Sequence, residues 1–113
     1  MAFTTTNATT VESAVKLRDR ILDEFRDIKA LIQVDTKEGL KEGLVKLRRV
    51  VSAIEVFMDD EKANLYKSDK VALDILQREV INFISVFESK SEIGRLKEAK
   101  SLETTAKSIL KTS

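Results

Sequence analysis

Cysteine, histidine, tryptophan and proline are missing from these 113 residues, and glycine occurs only three times. Without cysteine there can be no disulfide, no thiolate metal ligand and no cysteine nucleophile. Without histidine the commonest general base and the usual zinc ligand are gone as well, and serine has no triad partner. A proline-free chain with so few glycines holds few enforced breaks, which favours long helices. Aromatics are scarce, five Phe and one Tyr, too few to line a sugar cleft between paired carboxylates. Gly39, Gly43 and Gly94 make neither a phosphate-cradling loop nor a dinucleotide fingerprint.

Neither sign of charge prevails: 20 Lys and Arg stand against 19 Asp and Glu, a formal net of +1. Such a balance gives no general pull towards nucleic acid or anionic lipid. Apolar runs are a few residues long, far short of a membrane span. Residues 1–10 lack the basic and apolar regions of a signal peptide. The expected location is cytoplasmic, or within a particle assembled in the cytoplasm.

What the chain does have is helical periodicity. Its most apolar stretch is 71–87, where Leu73, Leu76, Val80, Phe83 and Phe87 recur at steps of three and four. Ile75, Ile81, Ile84 and Val86 widen that stripe until only Asp74, Arg78, Asn82 and Ser85 interrupt it. A strand over 80–87 is the competing reading, since that run is β-branched and aromatic. The helical spacing of the polar residues and the lack of bounding Gly or Pro decide for helix. A helix this apolar must be covered on most of its circumference.

Around it the spacing predicts an all-α, up-down bundle of three long helices plus a shorter C-terminal helix, over about 10–34, 37–66, 69–89 and 92–111. A polar Thr-rich arm, residues 1–8, precedes the bundle of 9–113, and on its own it cannot bury enough to offset its conformational entropy. Thr9 and Glu12 form a capping-box pattern, as do Asp35 with Glu38 and Ser89 with Glu92, and Ser68 is the expected cap of the third helix. In the second helix Leu40, Leu44, Leu47, Val51, Ile54 and Met58 follow a seven-residue repeat flanked by Val50 and Phe57. That stripe is wide enough to touch two neighbours. Gly39 and Gly43 read as a frayed first turn rather than a close-packing patch, because glycine costs ~1 kcal/mol inside a helix. Asp59, Asp60 and Glu61 oppose the helix dipole, so a break is expected near 59–63. The last segment carries a thin stripe, with Ala99 and Ala106 in it, and is marginal until it docks.

None of the acidic groups has a metal-site pattern: Asp59, Asp60 and Glu61 fan out around a helix instead of converging. No metal and no cofactor is expected. Lys46, Arg48 and Arg49 form one basic group, and Arg95, Lys97, Lys100, Lys107 and Lys111 a looser one. Neither reads as a single face with helix-turn-helix geometry or interleaved aromatics, so nucleic acid is disfavoured as a partner. The C-terminal segment has no aromatic anchor for a membrane surface.

These features point to a non-enzymatic assembly or adaptor subunit working through protein–protein contacts. Its partner would be itself, as a homo-oligomer, or other subunits of a symmetric assembly such as a virion or phage particle. The candidate interaction surface is Phe3, Ile75, Ile81, Ile84, Ile93, Leu96, Leu102 and Ile109. The alternative is a small cytosolic regulator that binds a protein or nucleic-acid target through its C-terminal helix.

Overall fold

The computed structural model describes residues 3–111. Four helices follow one another: α1 (Ala8–Val34), α2 (Lys37–Glu61), α3 (Lys67–Val86) and α4 (Glu92–Ile109). Short connections reverse the chain each time, so the helices run up, down, up and down in a body 43 × 21 × 20 Å. α1 and α3 each pack between α2 and α4, and neither diagonal pair approaches closely among the described residues. The all-α bundle with three long helices and a shorter last one is therefore the fold. α3 is one side of a four-sided ring, not its hub.

The core is the set of stripes read from periodicity. Ala14, Leu17, Ile21, Phe25, Ile28 and Ile32 of α1 are buried, and so are Leu44, Leu47, Val50, Ile54 and Phe57 of α2. α3 contributes Leu73, Leu76, Val80 and Phe83, with Phe87 just past its end, and α4 adds Ala99, Leu102, Ala106 and Ile109. Leu40, Val51 and Met58 lie half-buried against this core, which gives α2 the width to meet both α1 and α3. α4 thus closes the ring through its small-residue stripe, where alanines let the backbones come close.

Several boundaries differ from the periodicity reading, each for a local reason. α1 starts two residues early because Asn7, not Thr9, caps it, accepting from the Thr10 amide at 3.0 Å. Asp35 does not cap α2. It ends α1 in the left-handed region (φ 54°), a conformation asparagine and aspartate tolerate best after glycine. Thr36 caps α2 instead, accepting from the Gly39 amide at 3.0 Å. α2 stops at Glu61, within the expected break, and α3 begins at Lys67 with no side-chain cap, so Ser68 lies in its first turn. Ser91 caps α4 through the Gly94 amide at 3.1 Å.

Gly39 and Gly43 are not a frayed turn. Both are buried in α2, and a Cβ on Gly43 would lie 3.3 Å from Phe87 Cζ. Glycine is there so that the fully buried Phe87 ring can lie against the α2 backbone. Phe83 meets the same ring edge-on at 5.1 Å.

The arm is also ordered by its own bundle. Phe3 is buried against Phe57, with ring centroids 6.1 Å apart. The Thr4 amide and hydroxyl both donate to Asp69 Oδ1 at 2.8 Å, and the Thr5 hydroxyl donates to the Asn64 carbonyl at 2.8 Å. Residues 3–7 therefore strap the ends of α2 and α3 together, and no outside molecule is needed to hold them.

Candidate interaction surfaces

The structure divides the eight apolar residues proposed as an interaction surface. Phe3, Leu102 and Ile109 are core residues and present nothing to a partner. Ile84 and Leu96 are half-buried, packed against the core. Ile93, in the first turn of α4, is 79% exposed, and Ile75 and Ile81 are 48% and 47% exposed. Ile75 and Ile81 stand about 120° apart around α3, so they do not form one patch. The two neighbours cover part of the α3 stripe; Val71, Ile75, Ile81 and Val86 stay exposed, with Val71 and Ile75 adjacent at a spacing of four.

An apolar-floored concavity lies elsewhere, on the face formed by α1 and α2. A hollow of about 340 Å³ is lined by Ser13, Lys16, Leu17 and Arg20 from α1 and by Ser52, Ala53, Val56, Phe57 and Asp60 from α2. Small residues at Ser13, Ser52 and Ala53 leave the space. Leu17, Ala53 and Phe57 give it an apolar floor, and Val56 stands on its rim at 58% exposure. A second hollow of about 260 Å³ continues the same seam between Asp27, Ala30 and Leu31 on one side and Glu42 and Lys46 on the other.

Charge along this face alternates. At the lower hollow α1 presents Lys16 and Arg20, and α2 presents Asp60. One to two turns further along, α1 presents Asp23 and Asp27, while α2 carries Arg49 and Lys46, with Lys46 Nζ 3.6 Å from Asp27. Glu42 is the exception to this exchange of sign. Between the two hollows sits Glu24, whose Oε2 is buried with no hydrogen-bond partner among the described residues. Arg20, Arg49 and Asp60 make no ion pair among the described residues.

The basic groups separate once the helices are in place. Lys46 is largely covered and paired with Asp27. Arg95 turns inward: it is buried, its Nε donates to the Phe87 carbonyl at 2.6 Å and a terminal nitrogen donates to the Glu88 carbonyl at 2.9 Å. The other four of the looser group, Lys97, Lys100, Lys107 and Lys111, are all exposed; the first three share the outer side of α4 with Ile93 and Thr104, and Lys111 lies two residues past its end. This face does exist, contrary to the sequence reading. Grouping Arg95 with the lysines hid it, because Arg95 is off their stripe. The signal was the spacing Ile93, Lys97, Lys100, Thr104, Lys107, Lys111, at steps of four and three.

Among the described residues no three acidic side chains are grouped so as to hold a metal ion, and Glu61 instead accepts from the Thr10 hydroxyl at 2.9 Å. No helix is long and apolar enough to cross a membrane. Compared with protein families, with curated proteins and with solved structures, the chain matches none.

Proposed function

We propose that this chain is a non-enzymatic subunit of a symmetric assembly, and that it meets a second copy through the α1/α2 face. The observation that carries this reading is the apolar-floored hollow of about 340 Å³ with the exposed Val56 on its rim. A twofold axis running along the seam lays α2 of one copy over α1 of the other. Val56 of each copy then faces the other's hollow, Asp60 meets Lys16 and Arg20, and Arg49 meets Asp23. A body 43 Å long and about 20 Å wide has room on one face for the roughly 800 Å² per partner of a standard interface. A structural or connector component of a virion or phage particle is one form such a subunit takes.

Because the chain has no cysteine, introduced thiols test the arrangement cleanly. Ser13→Cys and Val56→Cys chains, made separately and mixed under mild oxidation, should give a disulfide between the two variants. Homodisulfides of Val56→Cys alone, or no cross-link at all, would contradict the proposed pairing. A second reading, a small regulator that engages its target through the last helix, has its support in the lysine-lined outer face of α4.

A further inference from the structure

We infer that the outer face of α4 binds the phosphodiester backbone of nucleic acid without reading its sequence. Lys97, Lys100, Lys107 and Lys111 are exposed, and none makes an ion pair among the described residues. Lys97, Lys100 and Lys107 line about 15 Å of α4 at roughly 1.5 Å per residue, and Lys111 follows two residues past its end. Of the acids of α4, Glu92 and Glu98 lie off this stripe, and Glu103, which borders it beside Lys100 and Lys107, is engaged by Lys29 of α1 at 2.9 Å. In a chain whose formal net charge is +1, a stripe of one sign on one helix is a segregated charge, and it selects an anionic partner.

Three kinds of anionic partner compete for such a stripe. A second copy offers no matching stripe of acids along one helix: Asp59, Asp60 and Glu61 are consecutive and fan out around α2, and acids elsewhere pair with cations, as Lys16–Glu12, Arg26–Asp23 and Arg78–Asp74 illustrate. A partner helix or a membrane surface would need apolar side chains at the seam positions, and Lys97, Lys100, Thr104 and Lys107 occupy them. Ile93 alone is apolar there. A phosphate backbone needs neither: ammonium groups are point charges that contact phosphates without fixed orientation, and counterion release supplies the affinity. With no aromatic or planar donor on the stripe, nothing there reads base edges. The face lies on α4, which does not touch α2 among the described residues, so it remains open whether or not copies meet through α1 and α2.

The test is fluorescence anisotropy of a labelled DNA duplex of arbitrary sequence, titrated with the full chain at several salt concentrations. Four phosphate contacts predict a roughly hundredfold loss of affinity between about 50 and 200 mM salt. Each Lys→Gln change at 97, 100, 107 or 111 should reduce the slope of log K against log salt by about 1. The quadruple variant should lose binding while its circular dichroism is unchanged, since all four side chains are exposed. Three results would overturn the inference: no binding at the lowest salt, a slope unaltered in the quadruple variant, or tighter binding to phosphatidylserine vesicles or polyglutamate than to the duplex.

Discussion

Arg95 closes one end of the bundle by donating from Nε to the carbonyl of Phe87 at 2.6 Å while its guanidinium lies 5.4 Å from the centroid of the same residue's ring. The second carbonyl it reaches, that of Glu88, also follows the end of α3, where helical carbonyls have no intrahelical partner. Asp35, at the end of α1, lies 3.6 Å from the same guanidinium. One buried side chain on α4 therefore ties together the ends of three helices. Removing it leaves two carbonyls and a ring face without their partner. Arg95→Ala should cost about 3 kcal/mol in urea unfolding. Arg95→Lys keeps the charge but loses the planar fork, and should recover only part of that loss.

The strap of residues 3–7 gives a second prediction. Phe3→Ala should lower stability by about 2 kcal/mol, less than a central Phe→Ala because the strap lies at the edge of the core. Hydrogen exchange reports the same contact independently. The Thr4 amide, which donates to Asp69, should be protected in the native chain and should exchange freely in the Phe3→Ala variant.

Gly43→Ala sets helix propensity against packing. Alanine favours the helix by ~1 kcal/mol over glycine. The new methyl, however, would lie 3.3 Å from Phe87 Cζ, and that ring is held by Phe83 on one side and Arg95 on another. The ring cannot yield easily, so the variant should be less stable than the native chain by about 1 kcal/mol. A thermal melt that rises would show the Phe87 pocket to be looser than its contacts imply.

Glu24 leads to a gain. Its Oε2 is buried without a hydrogen-bond partner among the described residues, and an orphan acceptor costs more than an apolar group in its place. Glu24→Leu should stabilise the fold by about 1 kcal/mol in denaturant unfolding.

Most of the fold was legible because it rests on spacing. The α3 line from Leu73 to Phe87 was read and is buried throughout, and the wide α2 stripe predicted two neighbours and has them. The capping motifs were read one or two residues off: Asp35 and Ser89 were named where Thr36 and Ser91 cap, and Asn7 was passed over because Thr9 with Glu12 made the more familiar pattern. What could not be read needed the third dimension. Phe3 is one apolar residue in a polar arm, and nothing local says that Phe57 waits for it. Ile75 and Ile81 looked like surplus because the width of a stripe does not reveal how much of it two flanking helices cover. The hollow beside Val56 depends on which flank of α1 meets α2, which no single helix specifies. The α4 stripe of Lys97, Lys100 and Lys107 was present in the sequence and was lost by counting Arg95 with it.

Sedimentation equilibrium of the native chain beside Val56→Arg tests the assembly reading most directly. Val56 is exposed in the single chain, so the substitution should leave the fold intact and act only where copies meet. The native protein at micromolar concentration should show a mass near twice the 12.8 kDa of one chain, falling to that of one chain in the variant. A native chain that sediments as a single copy would contradict self-assembly itself, and a dimer that Val56→Arg leaves undisturbed would contradict its placement on α1 and α2.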